Sequence, residues 1–131
     1  MVGAHFVISH PENYGFDDND QLKFASRNIA IESIEDPIKA VENADVIYTD
    51  SWYAMGQEDE AQQRRSDFVN YQVNSDLMSK APNHAIFMHC LPAHRGEEVT
   101  DSVLDGSQSR IWQQAENRMH TMRGLLSLLL G

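Results

Sequence analysis

The residues best suited to chemistry lie together, at the point where a short apolar run stops at a proline. Residues 86–88 suit a buried strand, and His89-Cys90-Leu91-Pro92 follows them directly. Proline ends strand pairing because it has no backbone N–H to donate. In open α/β sheets, ligands bind beyond the carboxyl ends of the strands, where this imidazole and thiol would lie. A structural interpretation also stays open, because a lone cysteine is commonly a small buried hydrophobe.

The elements that would position these groups alternate between strand and helix along the chain. Short apolar runs predict four strands, at residues 4–9, 29–31, 44–50 and 86–88. Each of the three intervening stretches carries signals of a helix start, such as clustered acidic residues or proline in a first turn. The alternation predicts an α/β fold with a parallel sheet.

Helix starts are predicted near Asp18, Pro37, Glu58 and Ser75, with Asn74 as a capping residue of the last of these. A longer helix closes the sequence. Its apolar side chains recur every three or four residues and are expected to pack on the core: Trp112, Ala115, Met119, Met122 and Leu126. Arg118 falls off this stripe and is expected to project away from that contact.

Composition excludes several classes of function. The net charge of −10 disfavours nucleic acid, which needs clustered lysine and arginine. No apolar run approaches the roughly 20 residues that span a bilayer, and no cleavable signal pattern opens the chain. The single cysteine excludes an intramolecular disulfide framework, so a reducing cytoplasm is the expected compartment. The 131 residues suit one domain.

Four ordered blocks of sequence carry a resemblance to a known enzyme family. They read Asp-Ser-Trp-Tyr-Ala-Met-Gly-Gln-Glu at 50–58, Phe-Val-Asn-Tyr-Gln-Val-Asn at 68–74, Met-His-Cys-Leu-Pro at 88–92 and Ala-Glu-Asn-Arg at 115–118. Together they resemble ornithine carbamoyltransferase, of the aspartate/ornithine carbamoyltransferase family. The resemblance extends over residues 1–131 and corresponds to the later part of that family's ornithine-binding domain.

The resemblance implies a three-layer Rossmann-like parallel sheet with helices on both faces. It also implies that the fold is incomplete here, because the opening central strand and helix of the domain have no counterpart. The remaining strands would then form two half-sheets with a gap between them. The carbamoyl-phosphate-binding domain, with its Ser-Thr-Arg-Thr loop, is likewise expected to be absent, and residues 1–131 to be a partial ornithine-binding domain.

The activity implied is transfer of a carbamoyl group from carbamoyl phosphate to L-ornithine, a step of arginine biosynthesis, with no cofactor and no metal. By the resemblance, Asp50, Ala54, Met55 and Cys90 line the ornithine site. Cys90, Leu91 and Arg118 face carbamoyl phosphate, and Cys90 and Arg118 are the expected catalytic residues. The physics agrees, since a guanidinium suits an oxygen that gains charge. A thiol beside Arg118 is also expected to favour thiolate.

One departure from the family pattern concerns the ornithine site. Ala54 stands where the family has serine, so a hydroxyl that could bind the substrate's α-amino group is missing. A related transferase acting on putrescine or an acetylated ornithine therefore stays open. So does a non-catalytic amino-acid-binding or subunit-interaction module. The chain is expected to be inactive alone, and to form a homo-oligomer or associate with a chain that carries the missing domain.

Overall fold

The structure is a computed structural model that describes residues 3–54 and 56–131. In the described residues the strands are β1 (Phe6–Ile8), β2 (Ile31–Ser33), β3 (Val46–Thr49) and β4 (Ile86–His89). The α-helices are α1 (Asp18–Ser26), α2 (Pro37–Val41), α3 (Ala61–Asp67), α4 (Ser75–Met78), α5 (Asp101–Leu104) and α6 (Ile111–Leu130). Two 3₁₀ turns, Glu58–Glu60 and Val69–Tyr71, flank α3. The predicted α/β class with parallel strands is confirmed.

The strands form two separate parallel pairs rather than one continuous sheet. β1 pairs with β2 and β3 pairs with β4, and the described residues contain no ladder joining the pairs. The predicted division into two half-sheets is therefore observed. On its other side, β4 is bridged by a segment that the sequence does not predict, because Phe87 donates to the Gln108 carbonyl and accepts from Arg110 N–H, both at 2.9 Å. This segment leads directly into α6.

Local sequence accounts for where the short helices begin. Asp17, Asp36 and Asn74 each occupy the capping position, and each side chain accepts a backbone N–H of the first turn. Such caps satisfy donors that have no partner within the helix, and each stabilises by about 1 kcal/mol. Pro37 is the first residue of α2, where its missing N–H costs nothing.

The buried core surrounds β4 and the helices that follow it. Phe87, Ala85 and Val99 are fully buried, and Ile111 at the start of α6 is 1% exposed. The cluster also takes in Val41, Ile47, Val73, Leu77, Met78, Ala81, Val103 and Leu104. Among the described residues before Val41, none is buried. The β1–α1–β2 segment therefore lies outside the core.

Three details of the sequence-based fold are wrong. Strand β2 begins at Ile31, so Ile29 and Ala30 of the predicted strand precede it. The apolar run at 44–50 favours a strand of the buried type, but only Ile47 of β3 is buried, while Val46 and Tyr48 are about half exposed. The stripe on α6 does not pack on the core: Trp112, Met119, Met122 and Leu126 are all at least 50% exposed. Periodicity reports which side chains share a face, not whether this chain covers that face.

In the part of the chain that the structure describes, every helix is too short or too polar to cross a bilayer.

Candidate active site

Two strand ends bring the first pair of candidate residues together. In the β3–β4 ladder, Thr49 stands opposite His89, so the next residues, Asp50 and Cys90, leave the sheet side by side. The Cys90 thiol donates to Asp50 Oδ1 at 2.9 Å, and Ser51 N–H donates to the same oxygen at 2.7 Å. A carboxylate and a thiol that are 40 residues apart in sequence thus form one contact.

The thiol in this contact is held in its protonated form. Burial is the largest effect that raises the pKa of Cys90 above its ordinary value, and the hydrogen bond to Asp50 raises it further. Both effects disfavour the thiolate, because the anion would be desolvated and would face a carboxylate. The expectation that Arg118 favours thiolate is therefore wrong, and its guanidinium contacts the main chain of Cys90 instead.

His89 and Glu98 form a buried pair directly beneath Cys90. Both side chains are 0% exposed, and His89 Nε2 lies 3.2 Å from Glu98 Oε1. The Leu91 N–H donates to His89 Nδ1 at 2.9 Å, so Nδ1 is the acceptor and Nε2 carries the proton towards Glu98. The thiol of Cys90 is 4.0 Å from Nδ1. Because the Leu91 N–H already uses the Nδ1 lone pair, this imidazole orients the loop and does not accept the thiol proton.

Leu91 holds a conformation that a leucine rarely adopts. Its φ is 59°, in the left-handed region, and its peptide bond to Pro92 is cis. A non-glycine residue in this region is strained by roughly 1–3 kcal/mol and persists only where its surroundings fix it. The hydrogen bond to His89 supplies one such restraint. Ser51 supplies another, because its hydroxyl donates to the Pro92 carbonyl at 3.0 Å.

Helix α6 brings Arg118 to the same place. Its Nη1 donates to the Cys90 carbonyl at 3.3 Å, and the side chain is exposed to solvent. One turn earlier, Gln114 Oε1 accepts His89 N–H at 3.0 Å, and its Nε2 donates to Tyr48 Oη at 3.3 Å. Gln114 therefore joins α6 to both strand ends and sets how Arg118 approaches them.

The remaining candidates lie around this cluster. Ala54 is exposed in the loop after β3, and its N–H donates to Gln57 Oε1 at 3.1 Å. Gly56 follows with a φ of 89°, which glycine adopts without strain. Met55 lies outside the described residues. The structure thus brings Asp50, Cys90, Leu91 and Arg118 together, with no described contact between Ala54 and the other four.

Sequence reasoning missed three residues that support the cluster. His89 lay in the tetrad without an assigned partner, Glu98 was passed over, and Gln114 had no role. A buried histidine needs an acceptor, so an acidic residue nearby in sequence was the available signal for Glu98. Nothing in the sequence marked Gln114, because its partners are on strands 25 and 66 residues away.

The chain is similar to several known ornithine carbamoyltransferases. The ornithine carbamoyltransferase of Pyrococcus horikoshii is 51% identical over 135 residues, covering 99% of this chain and 42% of that protein. The solved ornithine carbamoyltransferase from Pyrococcus furiosus has a TM-score of 0.84 and 50% identity, covering 96% of this chain and 42% of that one. The crystal structure of the Gloeobacter violaceus ornithine carbamoyltransferase has a TM-score of 0.81 and 37% identity, with 99% and 44% covered.

The chain thus spans less than half the length of each of these relatives. A family model covers nearly all of it, since residues 1–129 match the model described as aspartate/ornithine carbamoyltransferase, Asp/Orn binding domain. The matched region includes every residue of the cluster at the ends of β3 and β4. The chain belongs to the aspartate/ornithine carbamoyltransferase family.

Proposed function

We propose that this chain supplies the ornithine side of a carbamoyltransferase site, in which L-ornithine attacks carbamoyl phosphate to give L-citrulline and phosphate. The observation that carries the proposal is the contact of Asp50 with the Cys90 thiol at 2.9 Å, with the Arg118 guanidinium on the Cys90 carbonyl. Relatives that share this region are named ornithine carbamoyltransferases. We further propose a role in arginine biosynthesis and a cytoplasmic location.

Asp50 is proposed to bind the α-amino group of ornithine. Its Oδ1 already accepts from Ser51 N–H and from the Cys90 thiol. Among the residues that the structure describes, none donates a hydrogen bond to Asp50 Oδ2. A carboxylate so restrained on one oxygen presents the other to a substrate ammonium without losing further side-chain freedom. Ala54 and Met55 are proposed to line the same pocket through their backbone and apolar atoms.

Cys90 is proposed to act as a neutral thiol next to the reacting amine. The amine attacks only when it is uncharged, so a neutral thiol next to it favours the reactive form more than a thiolate would. The Cys90 thiol, half-buried and hydrogen-bonded to Asp50, is such a neutral neighbour. A thiolate would instead stabilise the unreactive ammonium.

Arg118 and the Leu91 carbonyl are proposed to bind carbamoyl phosphate. The side-chain amine forms a C–N bond to the carbamoyl carbon, the C–O bond to phosphate breaks, and the departing phosphate takes the proton that nitrogen loses. Charge grows on the carbonyl and leaving oxygens during this step, and a guanidinium next to them stabilises it. No electron transfer is involved.

The chain is proposed to need a second set of residues for turnover. The Ser-Thr-Arg-Thr sequence that binds phosphate in the family is not found in residues 1–131. Positioning and charge stabilisation of carbamoyl phosphate supply most of the rate gain expected for this reaction. Association with a chain that carries the carbamoyl-phosphate half, in a homo-oligomer or a mixed one, would complete the site.

The test is a citrulline-formation assay on the chain alone and together with a separately made chain carrying the carbamoyl-phosphate half. We expect no turnover alone and turnover when mixed. In the mixture, Arg118→Gln should lower kcat by roughly 100-fold or more, because one preorganised donor to developing charge is worth that much. Arg123→Gln, a change to an exposed arginine on the same helix, is the matched control.

Other outcomes separate the alternatives. Binding of ornithine by the mixture without any turnover would favour a non-catalytic amino-acid-binding module. Preference for putrescine or an acetylated ornithine over L-ornithine would favour a related transferase. Turnover by the chain alone, in proportion to its concentration, would contradict the need for a second half.

A further inference from the structure

A second group of side chains, which does not include the thiol, converges with three of its polar atoms unpaired. His94, Glu97 and Glu98 each offer one ligand atom, and these atoms all lie within 4.8 Å of one another. Three buried atoms of the group have no hydrogen-bond partner among the described residues: His94 Nδ1, Glu97 Oε2 and Glu98 Oε2. From this convergence we propose a binding site for a divalent transition metal ion of the zinc type.

The burial of Glu98 distinguishes this group from an ordinary acidic cluster on the surface. Its side chain is 0% exposed, and only one of its two carboxylate oxygens accepts hydrogen bonds from the described residues. Oε1 accepts from His89 Nε2 at 3.2 Å and from His94 N–H at 2.6 Å. Oε2 accepts nothing from the described residues and faces His94 Nδ1. A bare carboxylate oxygen in a buried position is costly, so its burial calls for a cation.

The spacing of the two innermost atoms fits a shared metal ion better than a direct bond. His94 Nδ1 and Glu98 Oε2 are 3.6 Å apart, too far for a hydrogen bond. Nitrogen and oxygen ligands lie about 2.1 Å from tetrahedral zinc, which places two ligands about 3.4 Å from each other. Imidazole with carboxylates is a donor set that suits zinc, whereas calcium and magnesium prefer oxygen alone.

Neighbouring side chains already orient the outer ligands. Arg65 Nη2 lies 3.0 Å from Glu97 Oε1, which leaves Oε2 free to turn inward. The Tyr53 ring stacks on the His94 imidazole with centroids 4.9 Å apart. The Tyr53 hydroxyl donates to the same Glu97 oxygen at 3.4 Å. Partners of this kind fix ligand geometry around a metal.

Access and charge also suit a cation. The His94 side chain is 37% exposed, so the group lies just beneath the surface of the chain, and an ion could enter by a small movement of this side chain. The two carboxylates carry two negative charges, against one positive charge on Arg65. The carboxylate that would bind the ion also holds His89 beneath Cys90, so binding of the ion and the geometry of the thiol loop would share one residue.

The test is calorimetric titration of the 131-residue chain with Zn²⁺ near neutral pH, with circular dichroism to confirm that each variant keeps its fold. We expect one ion per chain. His94→Gln and Glu97→Gln should each weaken binding by at least about tenfold, since even the loss of an orienting partner costs that much. His84→Gln removes an exposed histidine paired with Asp45 and should change nothing.

A cysteine variant tests whether the metal ion binds at the Cys90 thiol instead. Cys90→Ser should leave Zn²⁺ binding unchanged, and a Co²⁺ complex of the unmodified chain should lack thiolate-to-metal charge transfer. Loss of binding in Cys90→Ser, or equal binding in His94→Gln, would overturn the proposal. The absence of stoichiometric binding would also overturn it and leave His94 and Glu98 as an ion pair.

Discussion

At the scale of single residues, the site depends on which side chains lie next to each other where β3 and β4 end. Asp50 and Cys90 meet because their strands pair in register, and burial together with the hydrogen bond to this carboxylate raises the pKa of the thiol. A raised folded-state pKa means that this contact stabilises the fold below the thiol's unfolded pKa, and that the contribution is lost as pH rises through the folded pKa. Reactivity towards alkylating reagents follows the same titration.

Asp50→Asn is expected to increase the alkylation rate of Cys90 by iodoacetamide near neutral pH. Removing the negative charge lowers the thiol pKa towards its ordinary value and enlarges the thiolate fraction. The measurement is the pH dependence of the rate in the native chain. Asp45→Asn, at an exposed aspartate, is the control, and a slower rate in Asp50→Asn would contradict this assignment.

Ala54→Ser is expected to tighten ornithine binding in the completed site. One regained hydrogen bond to the substrate's α-amino group is worth about 0.5–1.5 kcal/mol. Titration of both versions with ornithine or norvaline measures it, and Ala30→Ser, at an exposed position outside the cluster, is the control. Equal affinity would mean that water or another residue already fills this role.

At the scale of elements, the chain has one well-packed half and one thinly packed half. The buried cluster surrounds β4, whereas no described residue before Val41 is buried. The β1–α1–β2 segment is joined to α3 largely through Tyr14, whose hydroxyl donates to Asp67 Oδ2 at 2.7 Å and whose ring meets Phe68 at 4.6 Å. Local stability follows buried apolar contact, so the two halves should open at different free energies.

Hydrogen exchange is expected to be faster in β1 and β2 than in β4. Tyr14→Phe keeps the ring contact and should accelerate exchange in β1 and β2 only slightly, whereas Tyr14→Ala removes both contacts and should accelerate it further. Exchange in β4 should be unaffected by either change, since its core contacts do not include Tyr14. Uniform protection across all four strands would show that the chain opens as one cooperative unit.

At the scale of the whole molecule, a large apolar area remains uncovered. Val46 and Tyr48 expose one face of the β3–β4 sheet. Eight large apolar side chains on α6 are also exposed: Trp112, Met119, Met122, Leu125, Leu126, Leu128, Leu129 and Leu130. So many exposed apolar side chains are typical of an interaction site, and unpaired strand edges add to it.

The chain is therefore expected to associate at micromolar concentration. Sedimentation velocity should show a sedimentation coefficient that rises with concentration. Leu126→Glu should reduce this rise because it places a charge within the apolar face of α6. Gln113→Glu, at an exposed polar position of the same helix, should not. A compact, cooperatively melting monomer across the whole range would contradict the expectation.

By itself, the sequence determined the alternation of strands and helices up to β4, the helix starts that follow Asp17, Asp36 and Asn74, and the tetrad at the end of β4. These features depend on neighbours within a few residues, because capping and strand termination are local effects. Tertiary structure decided the rest: the pairing that joins Asp50 to Cys90, the protonated state of that thiol, the buried His89–Glu98 pair and the uncovered face of α6. Each of these depends on groups distant in sequence, because burial and electrostatic environment are set by what the folded chain places alongside a residue.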